Sequence, residues 1–224
     1  MNTQTAISRP VVLDPARQPS DPGSLGSSRR LVGVAMIAAP LLMAAGAAAF
    51  VTGIGVPGEP FDDGSWVEGV CGVFALALFV PVYLALAARL AVRRPRLAGF
   101  ARAGGLIGAV AGVTWESLRV FGYSMLQSGI TTEQAEAFAT DHLSYSWPMS
   151  ISVLFPLTSI VLGVALAGRE LPRWQGWSLA GGGVGFVTAM ALGLVPTIAF
   201  PIAAILWLIA LVPLGVETLR SREA

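Results

Sequence analysis

Six stretches of roughly twenty apolar residues each, long enough to cross a hydrocarbon core of about 30 Å, constrain this chain more than any other feature. They run from about Leu31 to Val56, Val67 to Val92, Gly104 to Tyr123, Pro148 to Leu166, Trp177 to Leu194 and Thr197 to Val216. In lipid every backbone N–H and C=O must be satisfied within its own segment or by a close neighbour, so each stretch reads as a helix. The expected fold class is all-α, a polytopic membrane bundle of six transmembrane helices. Composition agrees: 54% of residues are hydrophobic and 12% charged, against about 25% charged in an average soluble domain.

The arginines set the orientation. With the N-terminus in the cytoplasm, the inner segments hold Arg9, Arg17, Arg29 and Arg30, then Arg89, Arg93, Arg94, Arg96 and Arg102, then Arg169 and Arg173, and last Arg220 and Arg222. The outer segments hold no arginine and collect Glu59, Asp62, Asp63, Glu133, Glu136 and Asp141. Such a bias places both termini inside. The expected localisation is a bacterial cytoplasmic membrane. Residues 1–28, polar and rich in Pro, Ser and Gly, bury too little surface to offset ordering entropy and are expected to form a disordered tail. Residues 29–219 then form the six-span domain and 220–224 a short cytoplasmic tail. Arg29-Arg30 ahead of an apolar run also suits a twin-arginine export signal, but the run is too long for a signal core and more spans follow.

In the longest outer segment, Thr131-Thr132-Glu133-Gln134 has the spacing of a capping box, with Thr131 as cap and Gln134 reaching back. Trp66, Tyr145 and Trp147 flank the spans where amphipathic rings favour the headgroup region. One internal echo is present. Pro95-Arg96-Leu97-Ala98-Gly99-Phe100, followed by Ala103-Gly104-Gly105 and Gly108, recurs 77 residues on as Pro172-Arg173-Trp174-Gln175-Gly176-Trp177, Ala180-Gly181-Gly182 and Gly185. Both copies join an inward-running span to an outward-running one, so a duplication here would be of a parallel hairpin, not of the inverted kind common in secondary transporters.

Soluble chemistry has little to stand on. No phosphate-cradling loop, nucleophile elbow or zincin motif is present. A lone Cys71 and a lone His142 suggest neither disulfide nor metal centre, and no cofactor motif is recognisable. No basic, aromatic-laced face suits nucleic acid. The expected surroundings are the bilayer and a partner membrane protein or a second copy.

Charge inside an apolar span is the feature that asks for a function. On a helical wheel, Gly104, Gly105, Gly108, Gly112, Trp115, Glu116, Arg119, Gly122 and Tyr123 share an arc of about 120°, while the remaining arc carries Leu106, Ile107, Val110, Val113, Leu118, Val120 and Phe121. Glycines let backbones approach, so this stripe should face the bundle and carry Glu116 and Arg119 inward. Spaced three apart, the two charges can meet on one face as a neutral strut. Alternatively Arg119 binds an anionic ligand at an outer mouth while Glu116 holds or relays a proton, with Trp115, Glu68, Asp141 and His142 completing the pocket.

Three functions compete. The first is a small carrier, or the membrane component of a transport system, with a charged outward-facing pocket. The second is a non-catalytic scaffold, immunity or stress-response protein, favoured by the lack of catalytic motifs. The third is an intramembrane lipid or isoprenoid enzyme. Trp115-Glu116 resembles the Trp-Glu pair of membrane-bound meroterpenoid cyclases, which implies Glu116 as an acid; the second acid that such cyclases carry has no counterpart at the same face, since Glu217 lies at the opposite end. More broadly, Leu171-Pro172-Arg173-Trp174 with Gly176-Trp177, leading into a glycine-rich span, resembles a group of uncharacterised small multispanning membrane proteins of GC-rich bacteria, and that likeness implies no activity.

Overall fold

The computed structural model describes residues 22–54, 65–131, 133–134, 137, 143–192 and 196–221. Among these residues are seven helices: α1 (Pro22–Thr52), α2 (Trp66–Ala91), α3 (Pro95–Gln127), α4 (Leu143–Ser152), α5 (Leu154–Leu166), α6 (Arg173–Leu192) and α7 (Pro196–Arg220). Five segments are long and apolar enough to cross a membrane: Ser28–Thr52, Trp66–Ala91, Pro95–Gln127, Trp147–Leu166 and Ile198–Arg220. The protein is a multi-pass, all-α membrane bundle. Large apolar side chains on outward faces, among them Leu31, Phe74, Leu106, Phe121 and Ile205, have lipid as their natural cover.

One expectation is corrected at the end of an element. Residues 22–28 of the stretch expected as a disordered tail belong to α1, which begins at Pro22, whose fixed φ suits a first helical position. Residues 1–21 lie outside the described residues. The span expected from Pro148 to Leu166 is present as Trp147–Leu166, interrupted by one turn residue, Val153, between α4 and α5. The cause is Pro156, which has no N–H to bond the Ser152 carbonyl and whose ring crowds it. The Ser152 hydroxyl turns back to the Met149 carbonyl at 2.7 Å. The stretch expected as a fifth span forms α6, but Arg173, Gln175 and five glycines keep it outside the five most apolar segments.

The helices close into a ring in chain order. Each packs on its successor, α3 meets both α4 and α5, α7 returns to α1, and α2 also touches α5 across the middle. Glycines allow this closeness. Gly104 and Gly105 meet Thr158 of α5, and Gly108 lies against the Leu154–Phe155 backbone, while on the opposite arc of α3 Leu106, Ile107, Val110 and Phe121 are exposed and Val113, Leu118 and Val120 half-buried. The glycine face read from sequence is the packed face, and Val113, which packs on the core, departs from the outer arc. In the echoed segment Gly181, Gly182 and Gly185 meet Leu206, Trp207 and Ala203 of α7. Both glycine triplets thus seat the next long helix of the chain.

Inside the ring lies an aromatic cluster. Phe155 packs within about 5–6 Å of the Phe79, Tyr83, Phe186 and Trp207 rings, mostly edge to face. The buried Tyr83 hydroxyl is satisfied by Ser159 Oγ at 2.5 Å and by the Phe155 carbonyl at 3.2 Å. The α1 and α3 ends are closed by Gly53 (φ 68°) and Gly129 (φ 88°), each followed by a residue whose N–H returns to a carbonyl five residues back. The expected capping box is present: Thr131 N–H donates to Gln134 Oε1 at 3.1 Å, and Gln134 N–H to Thr131 Oγ1 at 3.3 Å.

Candidate binding cavity

The site starts at the first turn of α2. Ser65 is fully buried, and its Oγ accepts from the N–H groups of Val67 (3.0 Å) and Glu68 (3.4 Å). The same hydroxyl donates to the Ile54 carbonyl, tying the exit of α1 to the start of α2. The Glu68 carboxylate in turn has a backbone hydrogen bond with Ser65. Ser65-Trp66-Val67-Glu68 is thus a capping box, and it fixes Glu68 at the positive end of the helix dipole.

Across from it stands α3. Arg119 Nη1 lies 2.5 Å from Glu68 Oε2, and Arg119 Nε lies 3.5 Å from Glu116 Oε2. The guanidinium carbon is 5.9 Å from the centre of the Trp115 ring. The three charged side chains are only 5–16% exposed. Two glycines of α2 make room for this. A Cβ on Gly69 would sit 2.9 Å from the Glu116 carbonyl oxygen, and one on Gly72 would sit 2.6–2.9 Å from the Glu116 Cγ, Cδ and Oε2. The close approach of the helices at Gly69 and Gly72 lets Arg119 span both carboxylates.

The expected intrahelical pair is therefore half of the arrangement. Arg119 makes its shorter contact with Glu68, on another helix, and the group holds two carboxylates to one guanidinium. A neutral Glu116–Arg119 strut does not describe it.

These side chains line a cavity of about 310 Å3, at the lower end of the about 300–1,000 Å3 of small-molecule sites. Every helix of the ring supplies wall: Phe50 from α1, Leu76 from α2, Gly112 from α3, Met149 from α4, Phe155 from α5, Phe186 from α6 and Phe200 from α7. Of the residues expected to form a pocket, the structure brings together Glu116, Arg119, Trp115 and Glu68; Asp141 and His142 lie outside the described residues. The sequence reading missed Ser65, Gly69, Gly72 and the aromatic wall. The S-x-x-E spacing at Ser65 and the G-x-x-G spacing beside Glu68 were the available signals. Trp66, expected as an interfacial anchor, packs on Tyr123 with ring centres 5.9 Å apart, which marks the same end of α2 and α3. Among the described residues no group of three His, Cys, Asp or Glu is placed to hold a metal ion.

Substituting Gly72 separates the site from the fold. The atoms that an added methyl meets belong to the Glu116 side chain and not to backbone, so Gly72→Ala is expected to swing that carboxyl away at the low end of the about 1–3 kcal/mol that overpacking costs. Thermal unfolding in detergent should change little, while labelling of Glu116 by a hydrophobic carbodiimide, read by peptide mass spectrometry, should change severalfold. Unchanged labelling would mean that Glu116 does not rest against Gly72.

No protein-family model, no curated protein and no solved structure matches this chain.

Proposed function

We propose that this is a six-span protein of a bacterial cytoplasmic membrane, with both termini in the cytoplasm, acting as a small carrier or as the membrane component of a transport system. One observation carries the reading: a cavity bounded by every helix of the ring and lined by the chain's only cluster of buried charge among the described residues. A charge inside a spanning helix costs about 2.5–3.5 kcal/mol on insertion scales, and a strut needs no cavity beside it. Sites of carriers sit between helices that can move apart, and a ring whose wall changes helix at each step suits that motion.

The six-span count rests on α6. Its 20 residues reach about 30 Å, and it packs between α5 and α7. Crossing there restores the alternation that the arginines call for. Arg89, Arg93, Arg94 and Arg169 line a common recess, and Gly33 near the start of α1 packs on Leu219 near the end of α7. These arginine-bearing segments correspond to the inner side by the positive-inside rule.

The test is flux in reconstituted vesicles across a panel of small organic ions and neutral solutes, comparing wild type with Glu116→Gln. Flux of one class that falls in the variant supports the carrier. A protein that moves nothing and instead retains a stoichiometric partner through purification from native membranes belongs with the scaffold reading. C-terminal reporter fusions active only in the cytoplasm would support the orientation.

A further inference from the structure

We propose that the cavity takes a lipophilic organic monocation, an amine or quaternary ammonium, seated between the Glu68–Glu116 carboxylates and the aromatic wall. This rests on the reading of the cavity as a binding site and names what it binds. Charge comes first. Glu68 and Glu116 are both buried and share the one guanidinium of Arg119, so with both carboxyls ionised the group carries one negative charge more than Arg119 answers. In a low-dielectric site an unanswered charge is costly, and a bound cation removes that cost. An anion would meet the reverse situation, since the single guanidinium already faces two carboxylates.

The wall chooses among cations. Phe50, Trp115, Phe155, Phe186 and Phe200 line the same space as the carboxylates. Ring faces attract organic cations and match their apolar bulk, which is how quaternary ammonium groups are recognised. A small hydrated metal ion would need several oxygen ligands to replace its water. The wall adds few: the Ser152 hydroxyl already donates to Met149, and the remaining lining is mostly carbon or sulfur. A volume of about 310 Å3 admits a cation of about ten heavy atoms.

The experiment uses the full chain in lipid nanodiscs and radiolabelled benzyltrimethylammonium, with empty nanodiscs subtracting partition into lipid. Neopentylbenzene, its neutral isostere, and benzenesulfonate serve as competitors. Saturable binding that neither competitor displaces, and that Glu116→Gln weakens at least tenfold, is the expected result. Glu116→Gln leaves the Arg119–Glu68 pair intact and neutral, and its elution as wild type on gel filtration shows that it is folded. A second readout on wild type avoids substitution altogether: benzyltrimethylammonium should protect Glu116 from carbodiimide labelling in a saturable way. Displacement by the neutral isostere at equal concentration would overturn the cation proposal and leave the cavity a binding site. Displacement by benzenesulfonate would overturn it in favour of an anion site at Arg119. No saturable binding of any of the three, with labelling of Glu116 unaffected, would remove both the cation and the binding-site reading.

Discussion

Arg119→Met is expected to destabilise the protein more than any other single change in the cavity. The substitution keeps length and apolar bulk but leaves the Glu68 and Glu116 carboxylates, 5% and 10% exposed, without their common cation. Removing one partner of a buried ion pair costs about 3–5 kcal/mol, because the other charge stays buried and uncompensated. Here two charges of the same sign are left together. Thermal unfolding in detergent, followed by size-exclusion chromatography after heating, should show a marked drop. Glu116→Gln should cost much less, since the shorter Arg119–Glu68 contact survives it. Recovery on combining Arg119→Met with Glu68→Gln and Glu116→Gln is the decisive arm, because it makes the group neutral without restoring the arginine. A single variant as stable as wild type would mean that the charges are not buried together. A triple variant no better than Arg119→Met would mean that the arginine acts through its packing.

Much of this group was written in the sequence. Apolar period and glycine spacing placed Glu116 and Arg119 on the inward arc of α3, and the structure buries that arc. The partner on α2 was also within reach. Glu68 and Arg119 stand equally far along the chain from the Arg93–Arg94 turn, and an antiparallel hairpin brings such positions to one level. The same register sets Gly69 against Arg119, Gly72 against Glu116 and Tyr83 against Gly105. What lay beyond reach was the azimuth of α2. Glycine spacing singles out a face of α3, whereas α2 is apolar nearly all round and its face is chosen by α1, α3 and α5 together. The aromatic wall was hidden for a similar reason. Phe50, Phe155, Phe186 and Phe200 come from four helices, and only closure of the ring gathers them. Helix ends followed local chemistry instead, which is why the Thr131–Gln134 box was legible and the break at Val153 was not. Four of the six apolar stretches contain proline, and at Pro156 the interruption lies against a tightly packed neighbour.

That neighbour is Gly108, and Gly108→Ala is the second large effect expected. A methyl there would stand 2.2 Å from the Phe155 nitrogen, 2.8 Å from the Leu154 carbonyl carbon and 2.9 Å from Phe155 Cα. All three are backbone atoms, so no side chain can turn aside and α3 must separate from the α4–α5 junction. Overpacking a well-filled interior costs about 1–3 kcal/mol and sometimes more. The upper end is expected here, because Phe155 also anchors the rings of Phe79, Tyr83 and Trp207. Gly99→Ala is the matched control on the same helix. Nothing lies within 4 Å of its added methyl, so the change should stabilise by about 0.5–1 kcal/mol through reduced chain entropy alone. Opposite shifts of the two variants in thermal unfolding would establish that α3 is held by backbone contact at Gly108. A further consequence distinguishes packing from charge. Phe155 lines the cavity while the ion group lies on α2 and α3, whose contacts at Gly69 and Gly72 are untouched. Gly108→Ala should therefore weaken binding of an aromatic cation while leaving carbodiimide labelling of Glu116 near wild type. Equal loss of both would place the α4–α5 junction and the ion group in one cooperative unit.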